Sequence, residues 1–327
     1  MIVVTGGAGF IGSNLVRALN QRGLRDILVV DDFKDGAKHL NLNSLAFADL
    51  IDYRDFRTGL WDLADSGIEL IFHQGACSDT TERDGRYMLE VNYEYSKELY
   101  SFCTEHDVRF VYASSAATYG DGAAGFDDDA GALHTLRPLN LYGWTKHAFD
   151  LRVMAALADG QRAPPQWAGL KFFNVYGPNE YHKGRMISVV KVKSDEVAAG
   201  RAARLFRSDR DGLADGAQRR DFIWVGDVVD VLLWLLDRPD VTGLFNLGTG
   251  TARTYLDLAH AVCDAMGRPR AVEFVDMPPA LHGQYQSFTE APMARLRAAG
   301  YAGQFTRLED GVARYVRDHL TGTEAYV

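Results

Sequence analysis

A glycine-rich segment near the start of the chain constrains the fold more than any other feature. Gly6-Gly7-Ala8-Gly9-Phe10-Ile11-Gly12 follows a short apolar run and precedes a stretch with helical periodicity. Glycine suits such a turn because the backbone must adopt positive φ, approach a phosphate closely and let the helix pack on the strand. The free N–H groups and the dipole at the start of the helix favour an anion. The segment therefore predicts a strand–loop–helix unit that binds the pyrophosphate of a dinucleotide.

An acidic residue downstream supports the same prediction. Asp31 lies 19 residues after Gly12, at the end of the second predicted strand. An acid at this place accepts hydrogen bonds from an adenosine ribose, which favours NAD. Lys34 and Lys38 follow in the same loop, and cations there can hold a 2′-phosphate, which favours NADP. From these residues alone, the choice between the two cofactors stays open.

Short apolar runs alternate with helix-period segments over residues 1–175, which is typical of βα units around a parallel sheet. We predict strands at 2–5, 27–30, 70–72, 109–113 and 170–173, with helices at about 11–22, 88–103 and 144–158. Further helices are predicted near 255–266 and 308–320, and the aperiodic segment 209–218 is interpreted as a mobile surface loop. The predicted fold class is α/β, with a doubly wound parallel sheet and a smaller, discontinuous α/β lobe.

The domain division follows from a change in composition after residue 175. Residues 176–221 are richer in loops and include a basic stretch, whereas apolar runs resume at about 222–247. We expect residues 1–175, with about 222–247, to form the nucleotide-binding domain. Residues 176–221 and 248–327 are then predicted to form a substrate-binding lobe.

Composition excludes several classes of protein. The formal charge of -9, from 35 Lys and Arg against 44 Asp and Glu, is the wrong sign for a nucleic-acid-binding surface. Unbroken apolar runs reach only about six residues, far fewer than the roughly 20 that span a bilayer. The apolar start of the chain resembles no leader peptide, so a cytoplasmic protein is expected. The cysteines Cys77, Cys103 and Cys263 lack a CxxC spacing and are predicted to be buried, unpaired residues.

A second motif points to proton transfer. Tyr142 and Lys146 have the spacing YxxxK, which places both side chains on one helix face. A nearby ammonium and an oxidised nicotinamide are both expected to lower the pKa of the phenol, making Tyr142 a base for an alcohol proton near neutral pH. Ser115 ends a predicted strand, where ligands of such sheets bind, and its hydroxyl can donate to a substrate oxygen. His73, His134 and His182 lack metal-ligand spacing, so no metal is predicted.

These motifs together resemble the extended short-chain dehydrogenases/reductases, which include nucleotide-sugar epimerases and dehydratases. The resemblance rests on TGGAGFIG, Asp31, SSAATYG, YxxxK, FFNVYGP and RDFIWVGDV, and it covers nearly the whole chain. Four further strings, DFKDGAKHLNL, FHQGACSDTTE, HKG and GQYQSFT, resemble the bacterial ADP-heptose 6-epimerase family, which makes the heptose donor of the lipopolysaccharide core. The resemblance implies a Rossmann-type fold and a tightly bound NADP, with NAD as the alternative cofactor. It also implies a homo-oligomer, which the family likeness suggests is a pentamer.

The resemblance also implies a role for each matching residue. Tyr142 is the acid/base, Lys146 its electrostatic partner, Ser115 the hydrogen-bond donor and Lys183 of the HKG string a second acid/base. Substrate contacts are implied at Asn174, Arg185, Phe206, Arg220 and Tyr285. Cofactor contacts are implied at Gly6, Gly9, Phe10, Ile11, Gly12, Asp31, Asp32, Lys38, Gln74, Gly75, Ala76, Cys77, Ser78, Asn92, Lys146, Val175 and Lys183.

This chain departs from the family pattern at two places. Tyr53 stands where relatives can place a lysine near the 2′-phosphate, with Arg54 beside it as the alternative cation. The segment 207–219 is longer than the resemblance leads one to expect, which bears on the ADP contacts.

The implied reaction converts ADP-D-glycero-D-manno-heptose to its L-glycero epimer by hydride removal at C6 and return to the opposite face of a 6-keto intermediate. Direct proton abstraction is implausible because no adjacent carbonyl acidifies that C–H. Since the oxygen moves when the ketone reorients, a second proton donor is useful. The alternatives are a 4-epimerase, a 4,6-dehydratase, or a nucleotide-sensing protein without chemistry. Ala116 and Ala117 after Ser115 disfavour the dehydratase, and the intact Ser115, Tyr142 and Lys146 set disfavours the sensor.

Overall fold

A computed structural model describes residues 1–278 and 286–327 of the chain. The strands alternate with helices through the first half, as the apolar periodicity predicts. In chain order the strands are β1 (Ile2–Thr5), β2 (Ile27–Asp31), β3 (Asp49–Asp52), β4 (Leu70–His73), β5 (Arg109–Ser115), β6 (Trp167–Phe172), β7 (Asn174–Tyr176), β8 (Ala203–Phe206), β9 (Arg219–Arg220), β10 (Phe222–Trp224), β11 (Gly243–Leu247), β12 (Arg253–Thr254) and β13 (Val272–Val275).

Helices are present close to the five predicted positions, and the α-helices over 53–58, 189–198, 225–237 and 294–298 were not predicted. The helix predicted over 88–103 is an α-helix (Gly85–Met88), a π-helical segment (Leu89–Glu94) and a second α-helix (Tyr95–Glu105) in succession. The last α-helix (Leu308–Arg314) continues into a second π-helical segment (Tyr315–Leu320). In chain order the α-helices are α1 (Phe10–Gln21), α2 (Tyr53–Thr58), α3 (Gly85–Met88), α4 (Tyr95–Glu105), α5 (Leu141–Ala158), α6 (Val189–Ala198), α7 (Val225–Asp237), α8 (Tyr255–Ala265), α9 (Ala294–Ala298) and α10 (Leu308–Arg314).

One seven-stranded sheet organises the molecule. Its order is β3-β2-β1-β4-β5-β6-β11, and every neighbouring pair is parallel. The chain moves from β1 outwards through β2 to β3 and then returns to place β4 on the other side of β1. The switch point of this sheet therefore lies between β1 and β4, where ligands of doubly wound sheets bind beyond the carboxyl ends.

Alternate residues of the buried strands supply two apolar layers, one on each face. Val4 and Val29 pack with Leu15 of α1 and Val231 of α7 in one cluster. Val3, on the opposite face, packs in a second cluster with α2, α4 and α5. Strands buried on both faces with helices above and below are the expected doubly wound architecture, so the predicted fold class is confirmed.

The remaining elements form a third apolar cluster. It joins α6, α8, α10 and the following π-helical segment to β7, β8 and β10. Small two-stranded sheets lie here: β7 with β10 and β8 with β13 are parallel, and β9 with β12 is antiparallel. The segment 207–218 contains no helix or strand. None of the described helices combines the length and apolar character that crossing a bilayer requires.

Candidate active site

A cleft of about 470 Å³ opens at the switch point of the large sheet. Its wall is formed by the loops after β1, β2, β4 and β5, by the start of α5 and by the short 3₁₀ turn Tyr181–Met186. Most residues that the resemblance assigns to the cofactor or the reaction line this one cleft. They are Gly6, Gly9, Phe10, Ile11, Gly12, Asp31, Asp32, Lys38, Gln74, Gly75, Ala76, Cys77, Ser78, Ser115, Tyr142, Lys146, Val175, Lys183 and Arg185.

The glycine loop requires glycine at two of its positions. Gly6 has φ of +67°, and a Cβ placed there would lie 2.6 Å from the backbone nitrogen of Gly75. A Cβ on Gly12 would lie 2.1 Å from the carbonyl oxygen of Gly6. The loop is thus packed against both the next turn and its own helix, which leaves the N-terminus of α1 facing the cleft. That arrangement suits a bound diphosphate.

The Asp31 carboxylate connects the first two loops of the sheet. Its two oxygens accept hydrogen bonds from the Ala8 N–H (2.8 Å) and from the Lys38 ammonium (2.7 Å). Lys38 also donates to the Asp32 carbonyl (2.7 Å), so it neutralises an acid that would otherwise repel an anion. Arg54 lies over the Tyr53 ring and 3.7 Å from the Asp32 carboxylate. Lys38 therefore lines the end of the cleft where an adenosine 2′-position is expected, and Arg54 lies beside that end, against two residues of its wall, without lining the cleft itself.

The loop after β4 is held open towards the cleft by Asn92. The Asn92 amide accepts from the Cys77 N–H (2.9 Å) and donates to the Cys77 carbonyl (3.0 Å). Asn92 is fully buried and does not line the cleft, and its two hydrogen bonds brace this loop. Gln74 does line the cleft, and among the described residues neither polar atom of its buried amide has a hydrogen-bond partner. Such an orphaned amide fits a polar ligand such as a dinucleotide.

A close helix–turn contact places Tyr142 beside Ser115. Asn140 caps α5 by accepting from the Gly143 N–H (2.8 Å). A Cβ on Gly143 would lie 2.6 Å from the carbonyl of Ala117, so glycine lets the first turn of α5 touch the turn after β5. The Ser115 and Tyr142 side chains line the cleft together at this contact.

The pKa of Tyr142 does not follow the prediction from YxxxK. Burial raises the pKa of the phenol, and the nearby Ser115 hydroxyl opposes that effect. The protein's own groups therefore do not lower this pKa, because desolvation dominates, and the effect of an oxidised nicotinamide stays a prediction. Lys146 is buried and donates to the carbonyl of Ala113 (2.8 Å). Burial lowers the pKa of Lys146 to about 8, so its charge is itself sensitive to its surroundings.

Lys183 reaches the same cleft from a different element. Its ammonium lies 5.1 Å from the centre of the Phe10 ring, at the start of α1. Glu180, buried three residues earlier, favours the charge, but burial lowers the pKa of Lys183. A smaller cavity of about 220 Å³ adjoins it and is lined by Asn174 as well as by Val175 and Lys183. The structure therefore brings Tyr142, Ser115, Lys146 and Lys183 around one space.

The other residues assigned to the substrate occupy several places. Arg185 is exposed and pairs with Asp79 across the mouth of the cleft (2.9 Å). Phe206 ends β8 and does not line the cleft, nor does Arg220, whose guanidinium lies 5.6 Å from the centre of the Tyr255 ring. Tyr285 lies outside the described residues.

Neighbours that sequence reasoning missed also line the cleft. Met186 follows Lys183 in the same 3₁₀ turn, and Tyr87 lies in α3. Only the nearness of Met186 to HKG signalled a role. Cys77 is partly exposed there, so the prediction that every cysteine is buried is wrong for that residue. Among residues 1–278 and 286–327, no group of three or more His, Cys, Asp or Glu side chains could hold a metal.

Comparisons with known proteins agree with this geometry. Residues 2–248 match the model of the NAD dependent epimerase/dehydratase family. The ADP-L-glycero-D-manno-heptose-6-epimerase of Nitratidesulfovibrio vulgaris is 47% identical in sequence, and the match covers 100% of both chains. The enzyme of the same name from Alkalilimnicola ehrlichii is 49% identical, and the match covers 97% of this chain and 96% of that one.

Solved structures show the same likeness. The Helicobacter pylori ADP-L-glycero-D-manno-heptose-6-epimerase superposes with a TM-score of 0.77 at 26% identity, covering 96% of this chain and 94% of that one. The Thermus thermophilus UDP-glucose 4-epimerase in complex with NAD superposes with a TM-score of 0.76 at 26% sequence identity. The match covers 96% of this chain and 97% of that one.

Proposed function

Because this chain belongs to the NAD dependent epimerase/dehydratase family and, within it, to the ADP-L-glycero-D-manno-heptose-6-epimerases, we propose that it inverts C6 of an ADP-bound heptose. The reaction interconverts ADP-D-glycero-D-manno-heptose and ADP-L-glycero-D-manno-heptose, a precursor of the lipopolysaccharide core. One observation carries the proposal: two separate proton-transfer groups, Tyr142 and Lys183, line a single cleft beside a dinucleotide loop.

The cleft fits a nicotinamide dinucleotide. Gly6 and Gly12 leave room for a diphosphate at the start of α1, and Asp31 and Lys38 stand at the ribose end. The Gln74 amide has no hydrogen-bond partner within residues 1–278 and 286–327. When bound, the nicotinamide supplies a hydride acceptor and donor for C6, which an unactivated carbinol carbon requires. The chain's own residues then have to move only protons and hold the sugar.

Tyr142 and Lys183 suit opposite roles in proton transfer, Tyr142 as the acid and Lys183 as the base. Burial raises the pKa of the Tyr142 phenol, which keeps it protonated and able to donate to a ketone oxygen. Burial lowers the pKa of Lys183, which makes its amine available to accept a proton from an alcohol. A pair of groups whose environments drive their pKa values in opposite directions is suited to acid and base roles in one reaction. In the reverse direction the two groups exchange roles.

Ser115 and Lys146 support Tyr142. The Ser115 side chain lies at the end of β5 and lines the cleft with Tyr142, so its hydroxyl can donate to the substrate oxygen at C6. Lys146 lies one helical turn after Tyr142, where its ammonium stabilises a phenolate. We propose further that 176–221 and 248–327 bind the ADP moiety as one lobe, with Asn174, Arg185, Phe206, Arg220 and Tyr285 as contacts. We also propose that the enzyme is a cytoplasmic homo-oligomer.

We propose NADP as the bound cofactor, with NAD bound more weakly. Lys38 neutralises Asp31 and, with Arg54 nearby, offers positive charge for a 2′-phosphate. Replacing Lys38 with Ala should weaken NADP binding by about tenfold to a hundredfold, since charge-assisted hydrogen bonds contribute about 1.5–3 kcal/mol, and should affect NAD less. Calorimetric titration of nucleotide-stripped protein measures both affinities.

The matched control is Lys34→Ala, which removes an exposed lysine of the same loop that does not line the cleft. Its affinity for NADP should stay close to that of the unmodified protein. An equal loss of NAD and NADP affinity in the Lys38 variant would contradict the preference for NADP.

The proposed activity is tested by offering each pure ADP-heptose epimer to the purified protein and following the epimer ratio by NMR. Approach to the same ratio from both sides is the expected result. The competing 4-epimerase is tested in parallel with UDP-glucose, which we expect to stay unchanged. Inversion of UDP-glucose at C4 with no action on either ADP-heptose would overturn the proposal.

A further inference from the structure

A fully buried ion pair lies directly behind the candidate catalytic residues. The Lys171 ammonium is 2.6 Å from the Asp150 carboxylate, and neither side chain has any exposed surface. Asp150 is one helical turn after Lys146 on α5, and Lys171 lies on β6. Neither residue lines the cleft, so neither is expected to touch the substrate.

The hydrogen bonds of this pair are those of an ionised carboxylate. Asp150 accepts from the Tyr112 hydroxyl (3.0 Å), from the Ser114 hydroxyl (2.7 Å) and from Lys171. Burial raises the pKa of Tyr112 well above its ordinary value, so its hydroxyl remains a donor. Burying a charged pair removes both ions from water, and apolar residues of similar volume are often at least as stable. Stability alone is therefore a weak reason for this pair.

The pair is connected to the strand end that carries Ser115. Tyr112 and Ser114 lie on β5, and Ala113 between them accepts the hydrogen bond from Lys146. Lys171 also donates to the Thr118 hydroxyl (2.9 Å), which in turn donates to the Ser115 carbonyl (2.8 Å). Asp150 and Lys171 thus fasten α5 and the turn after β5 to the same strand.

The charge of Asp150 also acts on Lys146. Burial lowers the pKa of Lys146, and the Asp150 carboxylate acts against that effect. Other titratable groups face this region from each neighbouring element, and a pH effect must be separated from theirs. They are His73 on β4, Cys77 after β4, Tyr112 on β5, Lys171 on β6, and Tyr142 and His147 on α5.

We propose that Asp150 is a positioning residue that keeps the Lys146 ammonium charged, with Lys171 as the counter-ion that lets a carboxylate remain buried there. The inference rests on the proposed function, because it assigns Asp150 a part in supporting Tyr142. Lys146 is a cation below its pKa, so its support for Tyr142 is present at low pH and lost as pH rises through that value. Removing the Asp150 charge moves this loss to lower pH.

The direct test is a pH titration of Lys146 in nucleotide-free protein labelled with ¹³C at the lysine ε-carbons. Lys146→Arg identifies the resonance. Asp150→Asn should move the midpoint to lower pH by about one unit, and Lys171→Gln should move it to higher pH. If Asp150→Asn does not fold because Lys171 is left unpaired, the comparison of Lys171→Gln with Asp150→Asn/Lys171→Gln isolates the same charge. Equal midpoints in those two proteins would overturn the inference.

A second readout separates positioning from mere structural support. The alkaline limb of kcat/KM against pH should move with the Lys146 midpoint in each variant, whereas a purely structural role lowers activity without moving the limb. Asp237→Asn, which removes a surface carboxylate paired with Arg22, is the matched control and should leave the limb in place. If the alkaline limb of kcat/KM stays at the same pH in a variant whose Lys146 midpoint has moved, the proposed role of Asp150 in the reaction is overturned. The lysine titration needs no turnover. If the unmodified protein fails to epimerise ADP-heptose, that result contradicts the proposed function, while the effect of Asp150 on Lys146 can still be measured.

Discussion

Tyr142→Phe should reduce epimerisation by about 10²- to 10⁴-fold, the usual effect of removing a general acid–base group. The variant loses one oxygen at the point where Ser115 and the start of α5 meet, and the ring still fills its place in the cleft wall. Bound nucleotide should therefore be retained. Turnover is measured by the epimer ratio, and retained nucleotide by its absorbance after the protein is denatured.

The matched control for this substitution is Tyr100→Phe. The Tyr100 hydroxyl on α4 is buried and has no hydrogen-bond partner in the part of the chain that the structure describes, so its removal is the same chemical change away from the cleft. Activity of the control should stay close to that of the unmodified protein. Near-normal turnover by Tyr142→Phe would remove Tyr142 from the mechanism.

Lys183→Met should cause a loss of similar size, about 10²- to 10⁴-fold, if a second group has to exchange a proton with the C6 oxygen. Methionine keeps most of the length of the side chain, and its thioether cannot carry that proton. The measurement is again the rate of approach to the equilibrium ratio from each epimer, at saturating nucleotide. Saturation is needed because Lys183 lies over Phe10, at the start of the helix that faces the diphosphate site.

A charge-conserving variant separates proton transfer from electrostatics at this position. Lys183→Arg retains a cation over the Phe10 ring, but a guanidinium is not deprotonated in proteins and cannot act as the base. We expect Lys183→Arg to hold nucleotide and remain as slow as Lys183→Met, while Lys34→Met behaves as the unmodified protein. Recovery of activity in Lys183→Arg would show that Lys183 contributes charge alone.

Most of the fold could be predicted because its strands are apolar on both faces. The runs at β1, β2, β4 and β5 stand out between helix-period segments, and the glycine loop fixes where the first unit turns. Strand β3 was missed because it reads Asp-Leu-Ile-Asp at the edge of the sheet and is partly exposed, so it lacks that apolar signal. The helix over α3 and α4 starts earlier than predicted because Asp84 caps it, accepting from the N–H groups of Arg86 and Tyr87.

The site was predictable where a motif carries its own geometry and unpredictable where tertiary burial decides. YxxxK correctly places Tyr142 and Lys146 on one helix at the cleft, but the spacing does not reveal that desolvation raises the pKa of the phenol. The pairing of Asp150 with Lys171 depends on how α5 lies against β6, and no local pattern shows that contact.

The central claim is that C6 loses hydride and receives it again on the opposite face, with only the hydroxyl proton exchanging with water. The most direct test is to run the epimerisation in D₂O to equilibrium and measure deuterium at C6 of the product by NMR and mass spectrometry. We predict that C6 keeps its original hydrogen and carries no deuterium. Deuterium at C6 after epimerisation would show proton abstraction from carbon and contradict this account.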